Sequence, residues 1–205
     1  MNNQTSLFGE ILKKESELIV VPGLLYIPNF ITQKEHDNLL QEIDKLEWLK
    51  DLNRRVQHYG YKYDYKKRSI DMTMKLGPFP DFIKYITNKL IENKMINFLP
   101  DQAIINDYQI GQGISPHIDC EPCFENTIIS LSLNSVCLMD FYNKKDTEKT
   151  FQKFIEPRSL LILQDEIRYE WLHGIRANKS FNFEGRKFKR ERRVSITFRK
   201  VLLKN

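Results

Sequence analysis

From residue 103 onward the chain is written in short segments whose side chains change character every second residue, the pattern of strands with one buried face. Ile129, Leu131 and Leu133 alternate with Ser130 and Ser132, which gives one apolar and one polar face. Residues 136–141 follow across Asn134-Ser135, a pair suited to a hairpin turn, and predict a partner strand for 129–133. Segments 151–155, 159–163, 168–173 and 192–202 supply further strands. So many short strands in one half of a chain predict a β-sandwich or barrel.

The amino-terminal half reads differently. Thr32-Gln33-Lys34-Glu35 is a capping box, in which the threonine oxygen and the glutamate carboxylate each satisfy a backbone amide at a helix start. Leu39, Leu40, Ile43 and Leu46 then recur at helical spacing and predict one buried face. A second helix follows Pro78-Phe79-Pro80, with Phe82, Ile83, Ile86 and Leu90 on its inner stripe. Residues 18–27 read as strand, turn at Pro22-Gly23 and strand, and residues 6–16 as a weakly amphipathic short helix or lead-in. Neither repeats nor low-complexity tracts mark a second domain, and 205 residues suit one domain with a sizeable core. The expected organisation is a lead-in over 1–17, helical support and a recognition segment over 18–102, and a strand-rich core over 103–202. The fold class is α+β, mainly β, with the helices flanking the strands.

Chemistry enters at residues 114–119, Ile-Ser-Pro-His-Ile-Asp. On an extended chain His117 and Asp119 project to the same side, so an imidazole nitrogen and a carboxylate oxygen can meet at one metal ion. A histidine from another strand, with His173 the candidate, would complete a two-histidine, one-carboxylate facial set that leaves positions open for a chelating cosubstrate and dioxygen. An H-x-D triplet alone arises often by chance. The segment 193–199 adds weight, because as a strand it carries Arg193, Ser195, Thr197 and Arg199 on one face and Val194, Ile196 and Phe198 on the other. Arginines turned inward on an apolar-backed strand demand anionic partners. They stand roughly 20 Å apart along the strand at about 3.3 Å per residue, and long side chains leaning together can hold the two ends of a dicarboxylate.

H-x-D, then a distant His173-Gly174-Ile175, then R-x-x-x-x-x-R from Arg193 to Arg199 resembles the AlkB family of iron(II)- and 2-oxoglutarate-dependent dioxygenases. Asn106-Asp107-Tyr108 matches that family's N-x-Y segment, and Arg168 before His173 also fits. The resemblance runs over nearly the whole chain and implies a double-stranded β-helix, or jelly roll. It implies Fe(II) held by His117, Asp119 and His173, with 2-oxoglutarate and dioxygen as cosubstrates. Arg199 and Asn106 would take the end of 2-oxoglutarate that chelates iron, Arg193 and Tyr108 the far carboxylate, and Ser195 would assist. Residues 108–119, 129–133 and 139–141 are similar to the branch that hydroxylates modified wobble uridines in tRNA, with dealkylation of DNA or RNA bases the near competitor. A dioxygenase acting on a protein side chain or small molecule, and a catalytically silent nucleic-acid-binding domain, are the other readings.

Residues 54–68 are rich in tyrosine and cations, with Arg54, Arg55, His58, Tyr59, Tyr61, Tyr63, Tyr65, Lys66, Lys67 and Arg68 against the acid Asp64. Aromatic faces stack on bases and cations meet phosphates, which suits single-stranded or flipped-out nucleotides. The alternative is a solvated hairpin whose tyrosines pack on the core. By resemblance this is the substrate-holding lid. Residues 176–193 are strongly basic and suit either phosphate contact or plain solvation. Three cysteines do not make a disulfide framework, and Cys120 and Cys123, despite their C-x-x-C spacing, read as ordinary thiols without a second pair for zinc. A net charge of +5 permits an anionic partner without demanding one. No apolar run is long enough to span a bilayer and no export signal opens the chain, so a soluble intracellular monomer, cytoplasmic or nuclear, is expected.

Overall fold

A computed structural model describes residues 21–50 and 52–203; the segment expected at 6–16 and the start of the strand pair expected at 18–27 lie outside them. The strands in chain order are β1 (Leu24–Ile27), β2 (Arg55–Tyr59), β3 (Gln102–Tyr108), β4 (Ile114–His117), β5 (Ile128–Leu133), β6 (Cys137–Asn143), β7 (Thr150–Ile155), β8 (Leu160–Leu163), β9 (Trp171–Ile175), β10 (Ser180–Phe183), β11 (Arg186–Lys189) and β12 (Arg193–Arg199). The helices are α1 (Gln33–Asp44), α2 (Asp81–Glu92) and the short α3 (Asp165–Glu170). Six strands form one antiparallel sheet in the order β1-β8-β5-β12-β3-β2, four form another in the order β4-β9-β6-β7, and β10 and β11 make a separate hairpin. This is the expected mainly-β jelly roll with helices on its flank. Among the described residues no helix is long and apolar enough to cross a membrane.

Period-two alternation decides what each face of the six-stranded sheet does. Val194, Ile196 and Phe198 of β12 join Ile105, Ile129, Leu131, Leu160 and Ile162 on the outer face, where Leu39 and Ile43 of α1 and Ile83, Ile86 and Leu90 of α2 cover them. Each such fully buried side chain contributes on the order of 1.5–3 kcal/mol. The capping box that starts α1 is made in both directions: Glu35 N donates to Thr32 Oγ1 at 3.2 Å, and Thr32 N to Glu35 Oε2 at 2.6 Å. Leu46 departs from its expected burial, at 41% exposed, because α1 ends at Asp44. The opposite face of β12 meets β3 in a register that aligns Arg193 with Tyr108, Ser195 with Asn106 and Arg199 with Gln102, so a polar stripe crosses the inside of the sandwich.

Two expected strand assignments are corrected. Residues 129–133 and 136–141 do not form a hairpin, because both edges of β5 are already paired, to β12 and to β8, and β6 pairs with β7 and β9 in the other sheet. Asn134, at a left-handed φ of 70°, turns the chain between the sheets, and its amide donates to His36 Nε2 at 2.9 Å. The segment 168–173 begins as helix: α3 runs through Glu170, burying Ile167 and Arg168, and the strand starts only at Trp171.

Glycine lets the strand that carries His117 approach β9. A Cβ on Gly113 would lie 2.2 Å from the carbonyl oxygen of Ile175, and one on Gly174 would lie 2.9 Å from the backbone nitrogen of Pro116. The Gly111-Gln112-Gly113 stretch therefore delivers the strand that carries His117 through close backbone contact as well as through its turn. Gly113→Ala must push β4 off β9. It is expected to cost about 1–3 kcal/mol of stability by urea denaturation and to weaken divalent-metal binding in the same preparation.

Candidate metal centre and cosubstrate chamber

His117 and His173 face each other as cross-strand partners in the β4–β9 ladder, with their ring centroids 4.4 Å apart. Asp119 sits just past the end of β4, its Oδ2 3.6 Å from His173 Nε2. One ligand atom from each of the three residues can be chosen so that all lie within 4.8 Å of one another. The protonation states suit a cation. His117 Nδ1 lies 2.9 Å from the Ser115 carbonyl oxygen, which can only accept, so Nδ1 donates there and Nε2 is the ring nitrogen left to face an ion. Burial, with the neighbouring His117, pushes His173 down to about 3, leaving that imidazole neutral. Burial alone would raise the Asp119 carboxyl, but Arg199 beside it, with the two histidines, holds it well below the usual carboxylate range. Two imidazoles and one carboxylate on one side of an ion are the donor set of a non-haem iron(II) centre.

The stripe on β3 and β12 continues from this cluster into a cavity of about 620 Å³, lined by Asn106, Tyr108, Arg193, Ser195 and Arg199 among others. Arg193 is 2% exposed; its Nη2 donates to Ser132 Oγ at 2.8 Å, its guanidinium lies over the Tyr108 ring at 5.7 Å, and its buried Nε has no partner among the described residues. A buried cation with an unused donor fits the far carboxylate of a 2-oxo diacid. Arg199 differs from the expected free end of a clamp. Its Nε and Nη2 both bond Asp119 Oδ1, at 2.7 and 2.5 Å, its Nη1 bonds Gln102 Oε1 at 3.1 Å, and Phe124 lies beneath it at 4.8 Å. Asn106 Oδ1 likewise accepts a bond, from Arg54 Nε at 2.7 Å, and Arg54 lies 5.5 Å over the Tyr108 ring.

Of the ten residues expected to hold substrate, Arg54, Tyr63, Tyr65 and Arg68 line the cavity. Burial pushes the Tyr65 hydroxyl up to about 12, and its oxygen has no partner. The remaining residues lie off the cavity wall, and strand alternation explains part of it. Arg55 and Tyr59 face the helices: Arg55 is ion-paired to buried Asp107 and stacks on Trp48, while Tyr59 donates to Gln57 at 2.8 Å and meets Phe82 of α2 edge-on. Tyr61 is buried in the inner core. His58 packs edge-on against Tyr65. Lys66 and Lys67 are exposed on a turn, where their backbone amides both donate to Asp64 Oδ1 at 2.9 Å.

The basic segment is also divided. Arg176 pairs with Asp140, Arg190 bonds two backbone carbonyls, and Arg192 bridges Asp44 and Asp107, whereas Lys179, Arg186, Lys187 and Lys189 remain exposed around the β10–β11 hairpin. Cys120 and Cys123 are joined in a disulfide, which corrects the expectation of two ordinary thiols: an x-x spacing in the loop after β4 brings their Cα atoms to 5.2 Å, within bridging range. Two residues that sequence reasoning passed over, and one that it named only for its place before His173, support the site. Gln102 and Ser132 hold the arginines, and their period-two spacing from Asn106 and Ser130 was the available signal. Arg168, on α3, donates to the Asp119 carbonyl at 2.9 Å and fixes the ligand loop.

The model of the 2OG-Fe(II) oxygenase superfamily matches residues 45–199. The Arabidopsis thaliana protein named Alkylated DNA repair protein ALKBH8 homolog is 36% identical over 91% of this chain and 60% of its own length. The Mus musculus protein named tRNA (carboxymethyluridine(34)-5-O)-methyltransferase ALKBH8 is 36% identical over 88% of this chain and 30% of its own length. The chain thus spans less than two thirds of either relative. The solved structure of OsALKBH1 superposes with a TM-score of 0.68 over 88% of this chain and 98% of that one, at 17% identity, a likeness of fold. With the family pattern matched from residue 45 to residue 199 and these relatives alongside it, the chain belongs to the 2OG-Fe(II) oxygenase superfamily, in its AlkB family.

Proposed function

We propose that this chain is an Fe(II)- and 2-oxoglutarate-dependent dioxygenase that oxidises a modified base of a nucleic acid, with tRNA its first substrate. The observation that carries the reading is the nearness of two things in one cavity: the His117, Asp119, His173 donor set, and the buried Arg193 with its unused donor. His117, Asp119 and His173 would hold the iron, and Arg193 over Tyr108 would anchor the far carboxylate of 2-oxoglutarate. When bound, this pair of groups supplies the oxidation of 2-oxoglutarate by dioxygen to succinate and carbon dioxide, coupled to hydroxylation of a substrate C–H bond. Arg199 keeps Asp119 ionised and oriented, and Asn106, held by Arg54, faces the cavity beside it. On an N-methyl group a hydroxylated product collapses to formaldehyde and the bare base; on a stable carbon it remains an alcohol.

Tyr63, Tyr65, Arg54 and Arg68 suit a base presented edge-in with its phosphates outside. A cavity walled by two sheets requires that base to come from a single strand or be flipped from a duplex. The names of the Arabidopsis and mouse relatives favour nucleic acid over a protein side chain and tRNA as the first substrate to try. We read the protein as a monomer of the cytoplasm or nucleus, where such substrates are found.

Incubation with iron, ascorbate and 2-oxoglutarate against bulk tRNA and methylated oligonucleotides, followed by nucleoside mass spectrometry, is expected to convert a modified tRNA nucleoside. Loss of a methyl group from DNA instead would move the substrate within this reading, and succinate release with every nucleoside unchanged would reject it. Asp119→Ala is expected to lose Mn(II) binding by calorimetry and to make no succinate. Arg193→Ala should weaken 2-oxoglutarate binding at least about tenfold, the loss of a charged hydrogen bond of about 1.5 kcal/mol or more, with metal affinity kept. Arg199→Ala should weaken both, because its guanidinium acts through Asp119.

A further inference from the structure

We propose that Cys120 and Cys123 are a reversible oxidation site that adds two hydrogen bonds between the substrate-facing segment and the metal loop when reduced and withdraws them, loosening the segment's hold, when oxidised. The inference stands on the position of the two sulfurs and not on the identity of the substrate. Sγ of Cys120 lies 3.3 Å, and Sγ of Cys123 3.4 Å, from a single backbone atom, the carbonyl oxygen of Arg68. As thiols, both can donate to that oxygen. The structure holds the pair as a disulfide, in which neither sulfur carries a hydrogen, so the carbonyl rests against both sulfurs without a donor from either, and reduction in place would supply two.

The carbonyl that would lose them belongs to a residue that needs holding. Arg68 sits at a left-handed φ of 50°, a conformation a non-glycine side chain keeps only where its surroundings impose it. It closes the turn in which the amides of Asp64 and Ser69 each bond the other's carbonyl, at 3.2 and 3.4 Å. That turn presents Tyr63 and Tyr65 to the cavity. On the other side, Cys120 directly follows Asp119, and the Arg168 guanidinium that bonds the Asp119 carbonyl also reaches that of Cys120. The sulfurs therefore join two pieces of the site that are far apart in sequence, and Arg168 fixes one of them whichever state the sulfurs are in.

Cys120 lines the cavity, so a small peroxide that enters can reach it. Hydrogen peroxide takes two electrons from the pair. The Cys120 thiol becomes a sulfenic acid, releasing one water, and the Cys123 thiol then displaces its hydroxyl as a second water to form the S–S bond. A dithiol reductant returns both hydrogens.

The test is hydrogen exchange of the full chain loaded with Mn(II) in place of iron, before peroxide, after it, and after dithiothreitol, with peptide mapping of the cysteines. Peroxide is expected to join Cys120 to Cys123 and to speed exchange of the amides at 61–69 by about tenfold, and dithiothreitol to reverse both changes while the β4 and β9 amides hold steady. Cys120→Ser/Cys123→Ser keeps two donors and should exchange slowly whether or not peroxide is added. Cys120→Ala/Cys123→Ala should exchange fast in both conditions. Equal exchange at 61–69 in the reduced and oxidised wild type would overturn the proposal, as would peroxide that modifies only Cys137 or leaves the serine variant as responsive as the wild type.

Discussion

The register of β12 between β3 and β5 is the constraint on which the rest depends. A one-residue slip would exchange the faces of the strand, turning Arg193, Ser195 and Arg199 toward the helices and Val194, Ile196 and Phe198 into the cavity. Burial of the apolar set against α1 and α2 opposes that slip, at several kcal/mol for three fully covered side chains. The packing energy of the outer face thus positions the charges of the inner face. The site is rigid because its reverse side is a core.

Charge is handled differently on the two faces. Outside, Asp107 is fully buried yet bonded by Arg55 and Arg192, and Arg192 extends the chain of contacts to Asp44 on α1, so cations that look like a nucleic-acid footprint in sequence serve to tie helix to sheet. Inside, Asp119 is answered by Arg199, while Arg193 keeps a donor unanswered. An unpaired buried donor is costly in a folded chain. Its place beside a cavity of about 620 Å³ suits it to an anionic group, in contrast to the satisfied network behind it.

The parts of this molecule legible in the sequence were those set by local pattern. Thr32 to Glu35 announced a helix start, the alternation of residues 193–199 announced a two-faced strand, and His117 with Asp119 announced a shared side of one chain segment. The parts that were not legible depend on which edges are free and which face looks outward. Nothing local to Asn134 reveals that β5 has both edges occupied, so a hairpin was the natural expectation. Counting tyrosines and cations over residues 54–68 could not separate Tyr65, turned to the cavity, from Tyr59, turned to α2, because that depends on the pairing of β2 with β3. The bond between Arg199 and Asp119 joins residues 80 apart in the chain, and nothing local to either announces it.

That bond has a consequence for how such a protein is made. A buried carboxylate with no counter-ion would force the chain to wait for its cation before it could close, as small zinc modules must. Here a guanidinium from the central strand stands in for part of that positive charge. Closing the fold around Asp119 and filling its surroundings with a cation can therefore be separate events.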